Sequence, residues 1–273
     1  MILGKAISPF ALRKKNGGGG GTDADAQAFI TATGISGTNA TATNQLVIDL
    51  KAANIWTKMK AIYPMVGGTA TTCKFNLKNP VDSNAAYRLT FFGGGTFSAN
   101  GYQPNGTNAY ADTFFNSSVN LSLNNGHLSY YSRTQTILTT QSDIGNINAG
   151  APADACFIAS TATINVGYHG NSTFYTTQTI SDKRGLVISS RTSSTSLKLY
   201  NNGSLGNTQT ATNTTSAPNL NLFIGARNNN NTADVYSSKQ CAFASIGDGL
   251  TDAEALAFYN AVQTFQTTLG RQV

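Results

Sequence analysis

Charge is what this sequence has least of. Of its 273 residues, 11% are Asp, Glu, Lys or Arg, less than half of the roughly 25% usual in globular proteins. Asn, Thr, Ser and Gly take the surface instead, which suits loop-rich β folds, virion proteins and extracellular proteins better than a cytosolic enzyme. Acid–base chemistry is equally thin. The sole glutamate is Glu254, and the only histidines are His127 and His169. Glycoside hydrolysis normally needs two carboxylates facing one sugar, and no spacing pairs Asp112, Asp143, Asp154 or Asp182. Neither histidine, the candidate bases near neutral pH, accompanies a Gly-x-Ser-x-Gly elbow or a cysteine nucleophile. The chain therefore reads as non-enzymatic. Cys73, Cys156 and Cys241 are an odd, widely spaced set with no CxxC pair. They close no disulfide framework and build no zinc site, and read as small buried apolar residues. No run of 18 apolar residues exists, so no membrane span is expected. Residues 1–12 have their charges after the apolar letters, the reverse of a signal peptide.

The net charge of +6 comes from 18 basic and 12 acidic residues. Lys5, Arg13, Lys14 and Lys15 fall in the first 21 residues, where there is no acid. Pro9 holds Ser8 extended, and five glycines follow the basic run as a flexible linker. Residues 1–21 thus read as a docking arm, with Lys5, Pro9, Phe10, Arg13, Lys14 and Lys15 as its contacts; a solvated tail is the alternative. The basic run lacks interleaved aromatics, so nucleic acid is not an expected partner.

Residues 22–68 read as a helical subdomain. Acids in the first turn and Gly34 at the end predict a helix over 23–33. A second is predicted from Asn44 or Gln45 to Ile62, capped by Asn44 and ended by Tyr63-Pro64. Trp56 is expected to pack between helix and sandwich, with a sugar-stacking platform as the alternative. From 69 to 273 the period changes to that of strands, over 73–78, 87–91, 127–132, 157–159, 163–168, 173–177, 220–226 and 240–246. Residues 186–205 organise the set: alternation over 186–189 and 197–200, then Asn202-Gly203, the strongest short hairpin signal. Short strands with turn residues between them indicate a sandwich. A Thr251-x-x-Glu254 capping box opens a final helix. Phe258, Val262, Phe265 and Leu269 give it one apolar face, to pack on the sandwich or to form a bundle between protomers.

Three segments carry a resemblance. GTNAYADT (106–113), SLKLYNNGSLG (196–206), and LFIGARNNN (222–230) leading into FASIGDGLTDAEALAFYNAV (243–262) resemble the concanavalin-A-like lectin/glucanase superfamily, particularly its laminin-G-like jelly rolls. The resemblance implies a mainly β fold: a concanavalin-A-like β-sandwich with an N-terminal arm, two N-terminal helices and a C-terminal helix. Glucanases of that superfamily carry an E-x-D-x-x-E-like strand, which is absent from this sequence. Some relatives bind calcium through rim aspartates. Asn105 and Asn108 stand where those acids would be, so no cofactor is expected. SPFALRKKNGGGGGTDADAQAFITATG (8–34) and NQLVIDLKAANIWTKMKAIYPMVGGTA (44–70) resemble the opening of structural proteins of tailed bacteriophages, especially those of Bacteroidetes hosts.

Two functions follow as expectations. The first is a virion structural protein, on tail, fibre or baseplate or decorating the head. Its arm would dock it to other virion proteins, in a homo-oligomer. The alternative is a glycan-binding receptor-attachment module that meets a host surface glycan through Tyr102, Tyr110, Tyr131, Tyr168, His169 and Tyr175. A glycoside hydrolase is the third reading, and the missing carboxylate pair stands against it.

Overall fold

Two antiparallel sheets carry the chain, and their unequal covering decides where a ligand can reach. The computed structural model describes residues 21–122, 124–135, 139–150 and 153–273. The arm contacts Lys5, Pro9, Phe10, Arg13, Lys14 and Lys15 lie outside the described residues. One eight-stranded sheet runs in the order Ser204–Gln209, Ser196–Asn201, Gly185–Ser193, Gly126–Ser132, Cys241–Gly247, Gly101–Gln103 and Thr96–Ser98, with Met59–Tyr63 also paired to Cys241–Gly247. The other, nine-stranded, runs Tyr175–Thr179, Ile164–Asn171, Asp154–Ser160, Gln141–Asn148, Asn221–Ile224, Tyr110–Asn116 and Thr90–Phe92. A small hairpin, Arg227–Asn229 with Thr232–Asp234, joins it at Gln141–Asn148.

Period-2 alternation sorts the side chains. Leu128, Tyr130, Val187, Leu199 and Ile246 of the first sheet meet Ile144, Cys156, Ile158, Leu222 and Ile224 of the second in the sandwich core. On the other face of the first sheet, Tyr131, Leu186, Ile188, Tyr200 and Phe243 lie under helices that contribute Leu46, Leu50, Phe258, Val262 and Phe265. Each such fully buried side chain contributes about 1.5–3 kcal/mol. The middle of the first sheet is therefore sealed on both faces; every residue of Gly126–Ser132 and of Cys241–Gly247 is buried. No long helix among the described residues covers the outer face of the second sheet.

The organising hairpin forms as its sequence predicts. Asn202 and Gly203 take φ of 48° and 76°, the left-handed pair a type I′ turn requires. The Asn202 Oδ1 also accepts from the Leu186 N–H at 2.8 Å, tying the turn to the next strand. Thr251 and Glu254 form their capping box, and the helix Asp252–Thr268 packs on the sandwich. All three cysteines are free and buried.

The N-terminal region differs from its sequence reading. The second helix spans Gly37–Ala52, and Asn44 lies inside it, accepting from the Asp23 N–H at 2.8 Å rather than capping. The helix stops because Asn54 adopts φ 57°, a conformation asparagine tolerates better than most residues. Met59–Tyr63, expected as its last turns, is instead a strand on Cys241–Gly247. Trp56–Lys58 forms a short 3-10 turn before it, and every residue of the strand except Lys60 is buried. Residues 73–78 are also not a strand: a Thr69-capped turn, Ala70–Cys73, occupies their start. Trp56 is buried, with the Lys78 Nζ 3.9 Å from its ring centroid, so it offers no platform for a sugar.

Candidate functional site

The outer face of the second sheet carries a row of aromatic rings set by strand register. Phe92 pairs with Tyr110, Phe223 with Gly145, Gly145 with Phe157, Phe157 with Tyr168 and Tyr168 with Tyr175. Each alternates along its strand with a core residue, as Phe223 does between Leu222 and Ile224. Cross-strand neighbours sit close enough to stack. Phe92 and Tyr110 have centroids 4.9 Å apart, Tyr110 and Phe223 4.7 Å, Phe157 and Tyr168 4.2 Å, and Tyr168 and Tyr175 5.1 Å, all with interplanar angles below 30°. The one break is Gly145, at φ 149°, where a Cβ would collide with Phe157.

Stacking decides which rings can serve a ligand. A ring sandwiched between two others has both faces occupied and presents only an edge. Phe157 and Phe223 are 7% and 6% exposed, so the middle of the row is packing. Tyr175, at one end, is 42% exposed: Tyr168 covers one face and the other is free. Beside it runs an open groove of about 430 Å³ lined by Thr173, Thr177, Asn207, Thr208 and Gln209. Asn207 and Gln209 reach across from the first sheet to donate to the carbonyls of Thr177 and Tyr175, so they are held in place along the groove. On the other side of Tyr168 a cavity of about 240 Å³ opens, lined by Phe157, Val166, Tyr168, Arg227 and Val235. Burial raises the phenol pKa values of Tyr110 and Tyr168; like any phenol, both are protonated and able to donate at neutral pH. It also raises that of the Asp112 carboxyl on the same face, although the Phe114 N–H donates to it at 2.7 Å.

Of the six side chains expected to meet a glycan, the structure brings Tyr110, Tyr168 and Tyr175 onto this face and places the other three in the interior. Tyr102 is fully buried beside Phe91 and Phe97. Tyr131 lies under the C-terminal helix, its hydroxyl donating to Gln263 at 3.2 Å. His169 is 1% exposed, its Nδ1 3.9 Å from the Cys156 Sγ. Tyr102 and Tyr131 belong to the first sheet, and His169 lies on the inward face of the second, placements that only strand pairing and register reveal. Sequence reasoning missed Phe92, Phe157, Phe223 and Arg227. The signal was present at Phe223, which stands at the outward position of the alternation where Asn221 is polar. Asn105 and Asn108 organise their own loop: the Asn105 Oδ1 accepts from the backbone of Thr107, Asn108 and Ala109, each at 3.0 Å. No group of three or more His, Cys, Asp or Glu that could hold a metal occurs among the described residues.

Solved structures share this architecture. The binding domain of botulinum neurotoxin DC, in complex with rat synaptotagmin II, matches 77% of this chain and 53% of its own with a TM-score of 0.53 and 10% identity. The chain folds as a concanavalin-A-like β-sandwich. Botulinum neurotoxin type C, whose cell entry depends on interaction with two ganglioside molecules, carries the same sandwich: TM-score 0.54, 12% identity, 78% of this chain and 53% of that one. This concanavalin-A-like chain thus spans about half the length of each. No protein-family model matches it, and no curated protein sequence matches it significantly.

Proposed function

We propose that this protein is a non-enzymatic glycan-binding module whose site centres on Tyr175. One observation carries the reading: the last ring of the aromatic row has a free face beside a groove of hydroxyl and amide side chains. A sugar ring has an apolar C–H face and a rim of hydroxyls, so it needs an aromatic plane together with fixed polar partners. That cell entry of botulinum neurotoxin type C depends on interaction with two ganglioside molecules adds support for a glycan partner; the scaffold by itself hosts many jobs. Glu254, the sole glutamate, is engaged at the cap of the C-terminal helix and pairs with Lys58 at 2.6 Å, which supports binding over hydrolysis. On a glycan array the full chain is expected to give signals that Tyr175→Ala weakens about tenfold, equal to ~1.4 kcal/mol. Its melting temperature should not move, because the ring is exposed. An array without signal at high protein concentration would overturn the reading.

The setting we propose is the virion of a tailed phage, where the module meets host surface glycans as part of a homo-oligomer. The resemblance of residues 8–34 and 44–70 to phage structural proteins supports it, as does the basic composition of residues 1–21. Deleting residues 1–21 is expected to leave a folded protein with unchanged glycan binding that no longer joins particles. Normal incorporation of the truncated chain would sink the docking role and leave the glycan site standing.

A further inference from the structure

A second row of side chains runs beside the aromatic one on the outer face of the second sheet. Register aligns Ser142 with Ala159, and Ala159 with Val166. Small side chains next to Phe157 and Tyr168 leave a hollow, the cavity of about 240 Å³ that Arg227 and Val235 close from the small hairpin. Ser142 is fully buried in its lining, and among the described residues its hydroxyl has no hydrogen-bond partner. An unpaired buried hydroxyl is costly to the fold. Val235 takes φ 47°, a strained conformation for a β-branched residue. The Ser142 N–H donates to its carbonyl at 2.9 Å and holds it there. Strain of this kind gathers at ligand sites.

The lining chooses the occupant. A buried water needs several polar partners, and the side chains of Phe157, Ala159, Val166 and Val235 offer it none. A plain hydrocarbon would fit, since a cavity of roughly 150 Å³ takes benzene, but it would leave the Ser142 hydroxyl unpaired. Arg227 is already forked with Asp234 through bonds of 2.9 and 2.8 Å, so the cavity asks for no counter-charge. What fits is uncharged and mostly apolar, and carries an acceptor for Ser142.

We propose that this cavity is a second binding site, which takes the acetamido group of an N-acetylated amino sugar. The methyl lies against Ala159 and Val166, and the carbonyl oxygen accepts from the Ser142 hydroxyl. The cavity shares no lining residue with the groove beside Tyr175, so either site can fail without the other.

The test titrates the full chain, methyl-labelled at valine, with the methyl glycosides of N-acetylglucosamine and of glucose, and with N-acetylglycine amide. The N-acetylated glycoside is expected to shift the Val166 and Val235 methyl signals. It should bind about tenfold more tightly than the glucoside, the scale of discrimination that a small apolar group brings. Ser142→Ala should weaken it about fivefold, the loss of one neutral hydrogen bond. The melting temperature of that variant should not fall, because the hydroxyl has no partner in the protein to lose. Ala159→Leu fills the cavity and should abolish the shifts; should it not fold, the wild type and Ser142→Ala still decide. Equal affinity for the two glycosides, or no shift at Val166 and Val235, overturns the proposal and leaves the reading at Tyr175 intact. Full affinity in Ser142→Ala overturns it as well. Binding of N-acetylglycine amide as tight as that of the N-acetylated glycoside overturns the sugar as the source of the group.

Discussion

Replacing Asp143 by alanine is expected to destabilise the protein by about 3–5 kcal/mol, the usual cost of orphaning a buried charge. Asp143 and Lys239 are both fully buried, with the Lys239 Nζ 2.7 Å from Oδ2. The ammonium also donates to the Ser160 Oγ at 3.0 Å, and the ring centroid of Tyr130 is 5.7 Å away. Ser160 and Ser237 in turn donate to the two carboxylate oxygens. Removing the carboxylate leaves the ammonium with one hydroxyl partner in a dry interior, while Ser160 and Ser237 keep Asn165 and Gln141 as acceptors. The pair itself is a different matter. Replacing both residues together, Asp143→Leu with Lys239→Met, removes the desolvation cost along with the attraction and should be close to neutral. Urea midpoints of the two variants separate these cases. A loss below 1 kcal/mol for Asp143→Ala alone would show that the end of the sandwich does not depend on this pair.

Acidification from pH 7 to 4.5 is expected to cost on the order of 5 kcal/mol of stability through two histidines. Burial is the main cause of their depressed pKa values, His127 to about 4 and His169 to about 3. His127 is satisfied as a neutral ring. Its Nδ1 donates to the Asp248 carbonyl at 2.6 Å and its Nε2 accepts from the Ser245 hydroxyl at 3.0 Å, with the tautomer inferred from those partners. Among the described residues His169 has no partner for Nε2, and the Arg191 guanidinium beside it further opposes a second positive charge. The unfolded imidazoles titrate near 6.5. Between that value and about 4 the unfolded chain binds more protons than the folded one, so stability falls as pH falls. It is fully present above 6.5. Two pH units below it, each histidine accounts for about 3 kcal/mol at 1.36 kcal/mol per unit. Domains of this kind have total stabilities of ~5–15 kcal/mol, so unfolding near pH 4 is the expected outcome. Equal urea midpoints at pH 7 and pH 4.5 would contradict it.

The hairpin at Asn202-Gly203 and the capping box at Thr251 and Glu254 were legible because each is a local rule: a turn that needs positive φ, and a helix end that needs its N–H groups satisfied. The burial of the cysteines was also readable, since an odd set without metal-ligand spacing has few other uses. The segment Met59–Tyr63 reads as the end of the second helix because it is apolar enough for either period. Its strand identity comes from pairing with Cys241–Gly247, almost two hundred residues away, and no window of sequence contains that partner.

The candidate site divides along the same line. Composition and alternation by themselves determined a β-sandwich with a low-charge, amide- and hydroxyl-rich surface, because strand period and surface polarity are properties of neighbouring residues. They also supplied the tyrosines, though without the sheet assignment that separates Tyr110, Tyr168 and Tyr175 from Tyr102 and Tyr131. Only the tertiary structure decided which face stays open, since the helices that seal the first sheet leave the second uncovered. It alone stacked Phe157 on Tyr168 and Tyr168 on Tyr175, and left Tyr175 at one end of the row and Phe92 at the other exposed. A register shift of one residue would send every one of those rings to the other face, and register is set by contacts between strands that the linear order keeps apart.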